Sequence, residues 1–153
     1  SGNFMIMKMT FERINSQINR KSYGLDNYFA ALLKQNNIKV LHINNEVFHN
    51  GLESSLTYIK KSEECIITLL WLYNKHKMLG HDNKLLSLFV LFKKIKLNYA
   101  MLLFYNTFSS AIKKNLVSPS PNMYLLQLYK LSYICYKVLL LIDIYTQRML
   151  ILG

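Results

Sequence analysis

The chain is 153 residues long, the size of one ordinary domain, and its 52% hydrophobic and 18% charged residues with only five Gly and two Pro exclude a disordered, collagen-like or low-complexity polypeptide. Its two cysteines, Cys65 and Cys135, are too few for a disulfide scaffold and lack a Cys or His neighbour at ligand spacing, which points to a reducing compartment. The net charge of +11 is lopsided, with +2 on residues 1–74 and +9 on residues 75–153.

In chain order, Asn3 to Met9 contains the apolar run Phe4-Met5-Ile6-Met7, which suits a buried strand, and Thr10 is placed to cap a helical turn through Ile14. A polar stretch, Asn15 to Ser22, follows. From Asp26 to Asn36 the residues Phe29, Leu32 and Leu33 recur at helical spacing, and Asn36-Asn37 supplies a stop. Ile38, Val40, Leu41 and Ile43 then read as a half-buried strand, and Val47 to His49 as a second extended piece before Gly51. Beyond Gly51 the pattern is helical. Leu52, Leu56, Ile59, Ile66, Leu70 and Tyr73 keep a period near 3.6 as far as the Gly80-His81-Asp82-Asn83 turn. Further helices are predicted over Lys84 to Lys96, Leu97 to Asn115 and Asn122 to Ile142, with the loop Ser118-Pro119-Ser120-Pro121 between the last two.

No window reaches the roughly eighteen uncharged apolar residues of a spanning helix. The nearest, Leu97 to Ile112, is interrupted by Asn98, Asn106, Thr107, Ser109 and Ser110 and stops at Lys113. The opening Ser-Gly-Asn has neither the basic region nor the apolar run of a signal peptide, so none is expected.

Two stretches concentrate polar residues beyond what packing requires. They are Tyr23-Gly24-Leu25-Asp26-Asn27-Tyr28-Phe29 and the segment His42 to Glu53, which contains Asn45-Glu46-Val47-Phe48-His49. On spacing alone Asp26 is a helix N-cap ahead of a catalytic carboxylate, and His49 is a hydrogen-bonded loop histidine ahead of a metal ligand. His76, His81 and the cysteines form no triad or zinc pattern. Trp71 and the tyrosines at 73, 124, 129, 133, 136 and 145 sit at helical spacing and read as core or interfacial rings ahead of stacking platforms.

The order of the polar pieces, Ser1-Gly2-Asn3-Phe4-Met5-Ile6, then the Asp26 segment, then Asn45-Glu46-Val47-Phe48-His49, resembles the second half of family 2 glycosyltransferases. The resemblance covers residues 1–60, more loosely the helical region after them. It implies an α/β fold in which residues 1–51 are the C-terminal part of a GT-A, Rossmann-like catalytic domain and residues 52–153 a mainly helical tail. It implies inverting transfer of a sugar from a nucleotide-diphospho-sugar to a hydroxyl of a saccharide or lipid-linked acceptor. Asp26 would be the general base, since a carboxylate is ionised at neutral pH and can take the acceptor proton. Gly2, Asn3 and Asn27 would bind substrate. His49 would lie at a divalent cation, manganese or magnesium, beside the departing diphosphate. Two departures stand out. The family's Glu-Asp pair is here Leu25-Asp26, and the Asp-x-Asp motif of the nucleotide-binding half has no counterpart, so this chain is expected to be a piece of a longer, cytoplasmic enzyme.

The competing reading is a non-enzymatic basic helical module. Lysines at 75, 77, 84, 93, 94, 96, 113 and 114, interleaved with Leu, Phe and Tyr, suit peripheral contact with anionic lipid on the inner face of a membrane. Nucleic acid is the less expected partner, because 16 of the 19 basic residues are Lys, which lacks the bidentate fork used on base edges, and no binding motif accompanies them.

Overall fold

Six helices follow one another in the computed structural model: α1 (Lys8–Asn15), α2 (Leu25–Gln35), α3 (Ser55–His76), α4 (Lys84–Lys94), α5 (Asn98–Leu116) and α6 (Met123–Leu152). The structure describes residues 4–44, 46, 51, 53–76 and 83–152, with side chains except at 75–76 and 141–152. Among the described residues there is no strand, which overturns the α/β, Rossmann-like expectation. Segments 4–7 and 38–44 both run without a ladder partner. A strand needs a neighbour to take its N–H and C=O groups, and an apolar run cannot supply one by itself. Ile38 packs on the core, but Val40, Leu41 and Ile43 are 56%, 84% and 69% exposed, so neither face of the segment beyond it is covered. The extended piece predicted at Val47 to His49 lies outside the described residues.

The helix starts also depart from the sequence reading. In α1 the chain turns at Met7, whose carbonyl accepts from Phe11 N (3.0 Å), and Thr10 lies inside the first turn instead of capping it. Asp26 is the second residue of α2, which starts from Gly24 at φ +89 with no side-chain cap. Asn83 does cap α4, its Oδ1 accepting from Leu85 N (3.0 Å) and Leu86 N (3.2 Å). The predicted stop at Asn36-Asn37 is a Schellman turn: Asn37 is left-handed (φ 53), Ile38 N donates to Leu33 O (2.9 Å) and Asn37 N to Lys34 O (3.0 Å). Between α5 and α6 two asparagines stitch the Pro loop, Asn115 Oδ1 accepting from Asn122 N (3.0 Å) while Asn122 Oδ1 accepts from Tyr124 N (2.9 Å).

Helix α6 is the organising element, packing along α5 and also against α3 and α4, while α1 rests on α2 and α2 on α3. The main core gathers Ile14, Leu32 and Leu33 from α1 and α2, Ile66 and Leu70 from α3, Leu86 and Phe89 from α4, and Ile134 and Cys135 from α6. Residues before Gly51 therefore share one core with the helices after it. A second cluster joins Ile59, Ile112, Leu116, Leu126 and Tyr129. Beside it Tyr105 stacks on Tyr136 with ring centroids 4.5 Å apart and meets Tyr129 and Tyr133 at 5.8 and 5.7 Å. Tyr129, Tyr133 and Tyr136 are rings held between two helices, as their spacing predicts, whereas Tyr124 is 87% exposed and Tyr145 lies outside the residues whose side chains are described. Tyr129 hydroxyl donates to Glu63, whose carboxylate also pairs with Lys113 at 2.9 Å.

This packing has a pH signature. Burial pushes the Cys135 thiol from 9.0 up to about 11, and burial followed by the Glu63 hydrogen bond raises the Tyr129 phenol, with Tyr133 raised first by burial as well. Between pH 9 and 11 the unfolded chain has released a Cys135 proton that the folded chain still holds, so stability, complete below that window, falls as pH rises through it. Urea midpoints are expected to be level near neutrality and to decline from about pH 9, at most ~1.4 kcal/mol per pH unit for each such group. Cys135→Ala should flatten the first part of that decline; an unchanged slope would show that the thiol is not held protonated by the core.

Candidate functional site

The Tyr23–Phe29 segment is placed by one stripe of α3. Lys61, Cys65 and Thr68 stand at i, i+4 and i+7, a single face of that helix. Lys61 Nζ lies 5.4 Å from the centre of the Tyr23 ring, and Thr68 Oγ1 donates to Ser22 Oγ (3.1 Å). Gly24 seats directly on Cys65: a Cβ there would lie 2.6 Å from the Cys65 Sγ and 3.0 Å from its Cα. Only glycine satisfies both this approach and the left-handed backbone. Asn27 Nδ2 donates to the Gly24 carbonyl (3.4 Å) and faces Cys65 Sγ at 3.9 Å, so its amide braces the turn.

Asp26 follows immediately. Its side chain is exposed and caps nothing, while the half-buried residues Gly24 and Asn27 on either side of it are tied to α3. The carboxylate is thus presented from a fixed backbone at the positive end of a helix dipole. Its charge reaches Cys65, whose thiol is raised first by burial and then by Asp26.

An open cleft of about 420 Å³ has Tyr23 as one wall and Tyr58 as another; Asp26 and Asn27 do not line it and stand beyond Tyr23. Glu53 and Ser55 add polar groups at its edge, and Ile59 and Leu126 lie among its apolar lining. Glu53 pairs with Lys61, and that bond is the first cause of a raised Lys61 ammonium. Lys130 lies over Tyr58, 5.5 Å from its ring centre. The cleft can hold a ligand that offers apolar faces to the tyrosines and hydroxyls to Glu53 and Ser55.

Of the predicted site residues, the structure places Asp26 and Asn27 side by side on the braced turn, while Gly2, Asn3 and His49 lie outside the described residues. Among the described residues no group of three His, Cys, Asp or Glu side chains could hold a metal ion. The parts missed from sequence are Lys61, Cys65 and Thr68. Their i, i+4, i+7 spacing was a readable signal of a common face, but nothing local links that face to residues some forty positions earlier.

No protein-family model, no curated protein and no solved structure matches this chain.

Proposed function

We propose that the Asp26 turn and the adjoining cleft form the acceptor side of an inverting glycosyltransferase, with Asp26 as general base. The observation that carries the reading is a carboxylate that serves the fold only through its charge at the start of α2: it neither caps that helix nor is buried, yet the backbone beneath it is fixed by Gly24 against Cys65. In this reading the cleft seats a saccharide or lipid-linked acceptor, with a sugar face on Tyr23 or Tyr58. Asp26 accepts the proton of the attacking hydroxyl as that oxygen bonds to the anomeric carbon, and the nucleoside diphosphate leaves from the opposite side, inverting the centre. Asn27, held by Gly24 and Cys65, acts on substrate by fixing the direction of its neighbour.

The described residues do not fit a divalent-cation site, so no step is assigned to manganese or magnesium here. A nucleotide-sugar donor places the reaction in the cytoplasm, and no described helix is long and apolar enough to cross a membrane.

Two measurements test this. Titration calorimetry of the 153-residue chain with uridine and guanosine diphospho-sugars in manganese is expected to show no saturable binding, because the chain contains no Asp-x-Asp. Micromolar binding would show that the donor site lies within it. The reading frame upstream of the Ser1 codon is expected to encode a nucleotide-binding half with that motif, and the joined protein to transfer sugar with inversion. A stop codon there, or a joined protein without transfer, sinks the enzyme reading.

A further inference from the structure

Helix α4 departs from the usual rule that the outward face of a surface helix is polar. Its inner side is set by Leu86 and Phe89, 0% and 1% exposed in the main core. At 100° per residue the opposite side carries positions 84, 88, 91 and 95 in one stripe. These are Lys84, Leu88, Leu91 and Ile95, and the three apolar residues are 46%, 49% and 53% exposed. Apolar side chains thus line both the inner side of the helix and a stripe that remains in water, with the exposed Ser87 between them.

The rim of this stripe is cationic. Lys84 opens it and Lys94 and Lys96 stand at its end, all exposed, whereas Lys93, one turn after Phe89, falls on the inner side. Lys96 adopts a left-handed backbone (φ 60), which turns the chain toward α5. No Asp or Glu occurs between Asn83 and Ile142, and among the described residues none of these three rim lysines makes an ion pair.

We propose that the outward face of α4, Leu88, Leu91 and Ile95 rimmed by lysines, is a docking face for an anionic lipid bilayer. The helix lies in the plane of the membrane, roughly 16 Å long, with its apolar stripe between the acyl chains and headgroups. The lysine stems pass along that apolar surface and put their ammonium groups on lipid phosphates.

Charge and chemistry select this occupant over two others. A second copy in twofold contact would set lysines against lysines with no local carboxylate to pair them. A nucleic acid backbone satisfies the lysines but offers nothing to two leucines and an isoleucine, which provide no ring for a base to stack on. A bilayer with anionic headgroups satisfies both halves of the face. The proposal does not rest on sugar transfer.

The test is vesicle sedimentation of the full 153-residue chain with phosphatidylcholine alone and with phosphatidylcholine containing about a third phosphatidylglycerol. Binding is expected to the second and not the first, and to weaken as salt rises. Leu88→Ser, Leu91→Ser and Ile95→Ser together should abolish it with the helical circular dichroism retained. Should that triple variant lose its helicity, the exposed pair Lys84→Gln and Lys94→Gln carries the test, with an expected loss of about 30-fold at about 1 kcal/mol per lysine. Failure to sediment with anionic vesicles, equal sedimentation with both lipids, or unchanged binding by a folded variant overturns the proposal. So does a salt-sensitive dimer or nucleic acid complex that the same variants abolish in the absence of vesicle binding.

Discussion

Asp26→Asn, placed in a chain that also carries a nucleotide-sugar site, is expected to slow sugar transfer by about 10²–10⁴-fold, the range for loss of a positioned general base. The amide is nearly the same shape as the carboxylate but cannot accept a proton at neutral pH. The fold should barely respond, since Asp26 is exposed at the second position of α2 and makes no cap. At most the change removes about 0.3–1 kcal/mol of favourable charge at the helix start. Asp26→Ala should be tolerated about as well as Asn, which separates this geometry from the N-cap the sequence favoured, where alanine would cost about 1 kcal/mol more. A readout independent of catalysis accompanies these variants. Removing the Asp26 charge should lower the raised Cys65 thiol, seen as faster alkylation at a given pH. Transfer at near wild-type rate by the Asn variant would falsify the assignment of Asp26 as the base.

Gly24→Ala is expected to be among the most damaging small substitutions in the protein, at roughly 2–5 kcal/mol. Two costs coincide. The left-handed backbone at φ +89 disfavours any Cβ by about 1–2 kcal/mol, and that Cβ would press on Cys65 Sγ at 2.6 Å. The crowding contributes a further ~1–3 kcal/mol, because α3 must move away from the turn or the turn from α3. The two parts can be separated by a double-mutant cycle in denaturant. Cys65→Ala removes the sulfur and should recover part of the crowding while leaving the backbone strain, giving a coupling of about 1 kcal/mol or more. Strict additivity of the two substitutions would show that Gly24 and Cys65 do not press on one another. In the joined enzyme Gly24→Ala should also slow transfer, since the turn carries Asp26.

The helical part of the fold was legible because helices are written in local periods. Leu56, Ile59, Ile66 and Leu70 mark one side of α3, Asn36-Asn37 a left-handed stop, and Pro119 and Pro121 a break, all within reach of neighbouring residues. The strands were misread for the same reason in reverse. Phe4-Met5-Ile6-Met7 and Ile38 to Ile43 have strand-like composition, but whether an apolar run becomes a strand is decided by a partner elsewhere, and the described chain provides none. Asp26 was legible as a notable carboxylate and misplaced as a cap, because a left-handed glycine lets α2 begin one residue earlier than the polar residue that usually starts a helix. The bracing of that turn by Lys61, Cys65 and Thr68 is a contact across some forty residues. The lysines of the second half were plain in the sequence. Which of their neighbours face water became visible only once Leu86 and Phe89 fixed the inner side of α4.

The central position of α6 bears on how the chain is made. Leu131, Tyr133, Ile134 and Cys135 complete a core whose other members come from α1 to α4, so those four helices leave the ribosome before the surface that covers them exists. Until α6 emerges, Leu32, Ile66, Leu70 and Phe89 have only one another for cover, and over that interval the nascent chain is open to chaperones and to its own neighbours. Helix α6, paired with α5 across a loop of six residues between Leu116 and Met123, closes this core.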